Sequence, residues 1–310
     1  MQKYKLAIAI PVFNDWISLN ILLKNIKLEL NKSTLIDSYC IIIINDASNI
    51  ECSILEDINN ENLFFVNLKN NLGHQRAIAC GMCFIKDNIL CDNIIIMDSD
   101  GEDNPEYIEK LFLLSIKQNN IVFASRTKRQ ESLIFKLFYK IYKIAFKVLT
   151  GKSIYFGNFS SIPFSIVEKL VYNENLWNNY TATILKSKLP FTTIPTVRGK
   201  RYDGMSQMTL STLIIHGFSS ISVLMDIMSI RIIMFSFATI LISFISILTV
   251  FAIKLFTNYA IPGWASFTIL ILLNILFQSL MIAILMLFIY LSKRTSKNII
   301  PFDDYKSFIF

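Results

Sequence analysis

Short runs of apolar and β-branched residues, separated by longer stretches of helical periodicity, fill the first part of the chain. They are Leu6 to Phe13, Tyr39 to Asn45, Leu63 to Asn67, Asn93 to Met97 and Ile121 to Ala124. This spacing predicts βαβ units and a mostly parallel sheet covered by helices. Ligands of such sheets bind beyond the carboxyl ends of the strands. The polar residues that follow the runs are therefore candidate site residues: Asn14 and Asp15, Asp46, Asn71 and Gly73, Asp98 and Asp100, Ser125 and Arg126. Acids at three of the five ends point to one shared cleft.

Beyond this region the period changes. Between Ser132 and Lys152, the lysines Lys136, Lys140, Lys143 and Lys147 recur at helical steps and share one face, opposite a broad apolar and aromatic one. Such a helix can lie in a membrane interface, or pack on the sheet with its lysines solvated. Met205 to Met225 reads as a second interfacial helix. No charged residue occurs from Ile232 to Ile253 or from Leu255 to Ser292, so two membrane spans fit. Pro262-Gly263 suits a turn between them. Arg231 precedes the first span and Lys293, Arg294 and Lys297 follow the second, whereas only Lys254 lies near the turn. That bias places the bulk of the chain and both termini in the cytoplasm, at the inner (cytoplasmic) membrane. The expected organisation is a catalytic domain over 1–227 with interfacial helices near 132–152 and 205–226, a hairpin over 228–292 and a tail over 293–310.

Composition narrows the partners. Hydrophobic residues make up 53% of the 310, and the net charge of +7 is concentrated between Arg126 and Lys152. A basic patch suits nucleic acid or an anionic membrane surface. The neighbouring spans favour the membrane, and no nucleic-acid partner is expected. The five cysteines are odd in number and fall in the cytoplasmic part, so disulfides are not expected. Cys80 and Cys83 have zinc-like spacing without a second pair, and read as small core residues of a helix.

The chemistry centres on Asp98-Ser99-Asp100. Two carboxylates so spaced at a strand end can hold a divalent cation that bridges nucleotide phosphates. The run Ile94 to Met97 supplies the strand, and Gly101-Glu102-Asp103-Asn104-Pro105 supplies further acids and a helix start.

These segments resemble the family 2 glycosyltransferases, in particular the branch making polyprenyl-phosphate sugars, such as dolichol-phosphate mannose synthase and bacterial relatives. Ile10 to Asp15, with Pro11, Asn14 and Asp15, is similar to the family's opening strand and nucleotide-binding turn. Asn45-Asp46-Ala47-Ser48 resembles the motif whose aspartate contacts the nucleobase, and Asn71-Leu72-Gly73-His74 its Asn-x-Gly turn. Met97 to Glu106 is similar to the metal motif, Ala124-Ser125-Arg126 to the site of a phosphate-contacting arginine, and Gly263 to Ser266 to the opening of the second span. The resemblance implies an α/β, Rossmann-like GT-A domain followed by interfacial helices and the hairpin. It also implies Mg2+ or Mn2+ held by Asp98, Asp100 and Glu102, and inverting transfer from a nucleotide-sugar donor. Asp98, Asp100, Arg126 and Arg201 would be the catalytic residues.

Two positions depart from the pattern. Asn158 stands where many relatives carry an aspartate suggested as a base, and an amide cannot accept that proton near neutral pH. A lipid phosphate arrives largely ionised and needs no base, so the substitution favours a phosphate acceptor unless another carboxylate such as Asp103 or Asp203 serves as the base. Arg201 to Gln207 is similar to an Arg-x-x-Gly-x-Ser-Lys segment, with Gln207 in place of the lysine; Arg198 or Lys200 can substitute. The favoured acceptor is a polyprenyl (undecaprenyl) phosphate meeting Lys136, Lys140, Lys143, Lys147 and Ser206 among membrane lipids. The alternatives are a sugar hydroxyl of a lipid-linked or surface polysaccharide intermediate, or a non-catalytic membrane binding protein; a homo-oligomer stays open. His74, beside Gly73, reads as a residue facing the nucleotide, a cap or a surface group.

Overall fold

A computed structural model describes residues 3–52, 62–126, 133–153, 156–204, 210–257 and 263–310. Helices and strands alternate through the first half: β1 (Tyr4–Val12), α1 (Trp16–Leu30), β2 (Ile36–Asn45), β3 (Leu63–Asn67), α2 (His74–Asn88), β4 (Asn93–Ile96), α3 (Ile108–Gln118) and β5 (Ile121–Arg126). All five apolar runs form strands. The second half contains α4 (Leu133–Thr150), β6 (Ser160–Pro163), α5 (Phe164–Leu170), α6 (Tyr180–Ser187), β7 (Phe191–Thr196), α7 (Leu210–Val223), α8 (Met225–Phe256), α9 (Trp264–Thr295) and α10 (Pro301–Asp304).

The strands make one seven-stranded sheet in the order β3-β2-β1-β4-β6-β5-β7. All neighbours are parallel except β6, which runs antiparallel to β4 and β5. β1 is buried from Leu6 to Val12 because apolar clusters cover both faces of the sheet, and a continuous apolar run suits that central position. The register pairs Val12 with Asn45 and Ala9 with Ile96. The segments leaving β1, β2 and β4 thus emerge side by side. Chain order reverses between β1 and β4, the switch point at which ligands of open parallel sheets bind.

β6 and β7 carry no clear apolar signal. Ser160 and Ser161 are fully buried, satisfied by a 2.6 Å bond between Ser160 Oγ and Tyr180 OH and by Ser161 Oγ donating to Asn93 Oδ1 at 2.8 Å. β7 is an edge strand, and there Pro195 is tolerated.

The chain divides into two compact units, 1–142 with 153–223 and 298–310, and 143–152 with 224–297. The second holds α8 and α9, each 32 residues long, apolar and long enough to cross a membrane. They pack along each other, with Ser229, Ser236, Ser243 and Val250 buried on α8 and Ala265, Ser279 and Ala283 on α9. Small residues at such a seam let the backbones approach.

The tail after α9 belongs to the first unit. Ile309 bridges Leu68 beyond the end of β3, Phe308 lies 5.0 Å from Trp177, and the buried Tyr305 donates to Asp87 Oδ2 at 2.6 Å. Replacing Tyr305 with Ala should destabilise this unit by about 3–5 kcal/mol, while Phe, which loses only the hydrogen bond, should cost about 1 kcal/mol. Thermal unfolding of the full chain in detergent checks the ranking; equal effects would mean that the ring's burial contributes nothing.

Candidate active site

The acidic loop starts where β4 ends. Asp98 N donates to Asp103 Oδ2 at 3.0 Å, and Glu102 N to Asp100 Oδ1 at 3.0 Å, so the loop's own carboxylates set its shape. Asn104 Oδ1 accepts from Glu106 N at 3.1 Å, capping a 3-10 turn from Pro105 to Tyr107 that leads into α3. Asp103 is buried in this structural duty, and Asp203 is exposed.

Burial, with the neighbouring Asp98 charge next in size, raises the pKa of Asp100 to about 6. A half-buried carboxylate beside another is the condition that a divalent cation relieves, and all the donors are hard oxygens. The pair Asp98 and Asp100 therefore fits Mg2+ or Mn2+. Among the described residues no three His, Cys, Asp or Glu side chains converge as a ready-made ligand set. Glu102, the third expected ligand, ion-pairs with Arg198. Phosphate oxygens and water would have to complete the coordination.

Arg201 joins the acidic loop to the end of β1. It contacts Asp15 Oδ2 at 2.8 Å and Asp100 Oδ2 at 3.3 Å. Its segment is held on the acidic loop by Gly199 N donating to Glu102 O at 2.9 Å and Tyr202 N donating to Asp100 O at 3.0 Å. A Cβ on Gly101, where φ is +85°, would strike the Tyr202 ring, and one on Gly199 would strike the Gly101 carbonyl. Glycine at both positions is what lets the two segments close on each other.

On the other flank, the buried Asp46 accepts from Leu72 N at 2.7 Å and Gly73 N at 2.9 Å. Its carboxylate thus shapes the Asn71–Gly73 turn, with Asn71 itself exposed. Burial raises the Asp46 pKa, against the lowering effect of those two amides. Pro11 is buried within β1, and Asn14 takes a left-handed φ of 55°. Asn14 Oδ1 accepts from Asn49 N and Ile50 N, and so ties the ends of β1 and β2 together.

His74, at the start of α2, lies 3.2 Å from Asp98 Oδ1, and its Nε2 is 2.9 Å from Asn158 Nδ2. Asn158 Oδ1 accepts from Gln75 Nε2 at 3.2 Å, whose Oε1 accepts from Tyr180 N at 2.8 Å. Burial opposes protonation of His74, yet Asp98, Asp103 and Asp46 together raise its pKa. Sequence left His74 among three roles; its position next to the turn at the head of α2 was the available signal. Gln75 carried none.

The remaining expected residues are dispersed. Arg126 ends β5, in register with Thr196, but its side chain lies outside the described residues, as do the Lys136 side chain and all of Ser206 and Gln207. Lys140, Lys143 and Lys147 are exposed on α4. Cys80 and Cys83 are free and buried in α2, and burial pushes the Cys80 thiol up to about 12.

Residues 7–173 match the glycosyl transferase family 2 model. The chain belongs to that family. Similar proteins include the uncharacterized glycosyltransferase YkcC of Bacillus subtilis (strain 168), 25% identical over 90% of this chain and 85% of that protein. An undecaprenyl-phosphate 4-deoxy-4-formamido-L-arabinose transferase of Yersinia enterocolitica is 30% identical over 48% of this chain and 45% of that protein. This chain thus aligns with under half the length of such arabinose transferases. Among solved structures, glucosyl-3-phosphoglycerate synthase of Mycobacterium tuberculosis, in complex with Mn2+, UDP and its product, superposes with a TM-score of 0.53. It covers 73% of this chain and 80% of that one at 10% identity, a likeness of fold. This family 2 glycosyltransferase therefore has a GT-A-like sheet followed by two helices of membrane-spanning length.

The raised pKa of Asp100 has a measurable sign. In the metal-free fold its proton is held more tightly than in the unfolded chain, so the group loses stability as pH rises from near 4 to about 6, and the loss persists above. Asp100→Asn should raise metal-free stability by about 1–2 kcal/mol at pH 8, with the gain shrinking towards pH 4, and should abolish stabilisation by Mn2+. Melting curves with and without Mn2+ check both; a destabilised variant that still responds to Mn2+ would contradict the assignment.

Proposed function

We propose that this glycosyltransferase transfers a sugar, with inversion, from a nucleotide-sugar to a polyprenyl phosphate at the cytoplasmic face of the membrane. The observation that carries the donor half is the convergence of Asp98, Asp100, Asp15 and Arg201 at the switch point of the sheet. Asp98 and Asp100 would hold Mg2+ or Mn2+, and the bound cation supplies Lewis-acid stabilisation of the leaving diphosphate. Arg201, already between Asp15 and Asp100, is placed to exchange a carboxylate for a phosphate oxygen and so to add positive charge where negative charge develops. Arg126 would serve the same charge from the end of β5. Pro11, Asn14, Asp15, Asp46, Asn71 and Gly73 shape the nucleoside side, Asp46 through the turn it holds.

The acceptor half rests on different support. Asn158 sits beside His74 with an amide that cannot take a proton from a hydroxyl, which suits an acceptor oxygen that is already ionised. Ile141, Ile144 and Val148 of α4 are exposed along with Lys140, Lys143 and Lys147. A helix packed on a sheet would bury such apolar groups, whereas a membrane interface accepts both faces. The arabinose transferases named above carry undecaprenyl phosphate in their name. The tail's return to the catalytic unit means that the chain enters and leaves the α8–α9 hairpin from the same unit, as cytoplasmic placement of both hairpin ends requires.

Purified full-length protein, incubated with Mg2+, undecaprenyl phosphate and a panel of radiolabelled nucleotide-sugars, should move label from one donor into the organic phase. Absence of labelled lipid with every donor would contradict the proposal, and label only on saccharide acceptors supplied in parallel incubations would favour transfer to a hydroxyl. Replacing Lys136, Lys140, Lys143 and Lys147 with Gln should raise the apparent KM for lipid several-fold for each lysine that meets the membrane surface, about 1 kcal/mol apiece, and leave the donor KM unchanged. Equal effects on both would mean that the lysines are merely solvated.

A further inference from the structure

The outward face of α9 carries a second seam. Phe267, Ile271, Asn274, Gln278, Met281, Leu285 and Phe288 follow one another at steps of four and three, and all seven are exposed. That alternation is the a/d pattern of a coiled coil. It is separate from the face that meets α8, where Ala265, Ser279 and Ala283 are buried. Apolar members of such a seam would be satisfied by lipid alone. Asn274 and Gln278 would not.

These two amides lie ~15–20 Å along the helix from Trp264, which is mid-depth in a hydrocarbon layer of ~30 Å. Exposed hydroxyls in the same hairpin are satisfied within their own helix: Thr239, Thr249 and Thr268 donate to the carbonyls of Phe235, Ile245 and Trp264 at 2.9–3.0 Å. Neither amide has a hydrogen-bond partner among the described residues. An unpaired amide in hydrocarbon is costly, and two on adjacent layers of one seam call for a partner that supplies donors and acceptors at the same depth.

We infer that the partner is a second copy of this chain, docked α9 against α9 in the membrane, with Asn274 and Gln278 as its polar layers. Two copies inserted in the same sense bring their α9 helices together in parallel, about a two-fold axis along the membrane normal. In a parallel pair, a meets a and d meets d, so Asn274 faces Asn274 of the partner subunit and Gln278 faces its counterpart. A carboxamide both donates and accepts and is therefore its own complement. No other polar groups are needed, and the two layers fix the register that the apolar members leave free. The inference rests on the reading of α8 and α9 as membrane spans.

The test is resonance energy transfer between donor- and acceptor-labelled full-length protein in phosphatidylethanolamine–phosphatidylglycerol vesicles, followed over a range of protein-to-lipid ratios. Wild-type protein should self-associate, and the Asn274→Leu, Gln278→Leu double variant should do so ~10–30-fold more weakly, as expected for the loss of two amide layers. Asn274→Gln, which keeps an amide in the layer, should retain association. Transfer unchanged in the double variant, or absent from wild type at every ratio, would overturn the interface. Carbonate washing separates the underlying reading: protein that resists extraction yet gives no transfer refutes the interface alone, whereas protein that washes off refutes the spans and the interface with them.

Discussion

Asp98 and Asp100 repel each other at a buried strand end, and the rest of the site is organised around that repulsion. β4 delivers them, Asp103 accepts from the backbone amide of Asp98, and Arg201 reaches across from a later segment to offset part of the charge. Even with Arg201 beside it, burial first and the Asp98 charge second raise the Asp100 pKa to about 6. A loop left this way favours any added positive charge. Glycine at 101 and 199 allows Arg201 to be carried so close, and Tyr202 keeps its segment there through the hydrogen bond that its hydroxyl accepts from Asn25 at 2.8 Å.

The sheet was largely legible because it follows from patterns that sequence records directly. Five apolar runs became five strands, and parallel pairing brought their polar ends into one row. What escaped has a physical cause in each case. β6 is buried through serine hydrogen bonds to Asn93 and Tyr180 instead of apolar side chains, so it has no hydrophobic signature. β7 contains Pro195, a residue that argues against a central strand and is accommodated at an edge. No spacing shows that the Asp46 carboxylate is engaged by two backbone amides of the next turn. The ion pair of Glu102 with Arg198, across almost a hundred residues, is likewise encoded by no local spacing.

The proposed acceptor side would depend on weaker forces spread over more of the chain. α4 combines exposed lysines with exposed Ile141, Ile144 and Val148, a composition suited to headgroups and acyl chains together. The tail from Asn298 onward extends the catalytic unit after the hairpin, filling its core with Tyr305 and covering the end of β3 through Ile309. Sequence suggested only a cytoplasmic extension there, because the apolar residues Ile299, Ile300, Phe302, Tyr305, Phe308 and Ile309 follow neither a strand nor a long-helix period.

If Arg201 stands in for a cation when no donor is bound and meets phosphate when one is, removing it should act in opposite directions on two equilibria. Mn2+ affinity of wild type and Arg201→Gln, measured by calorimetry without nucleotide and again with saturating UDP, GDP, CDP or dTDP, tests this directly. The account predicts tighter Mn2+ binding by the variant alone and weaker binding in the presence of the cognate diphosphate. A variant that changes both affinities in the same direction, or neither, would contradict it.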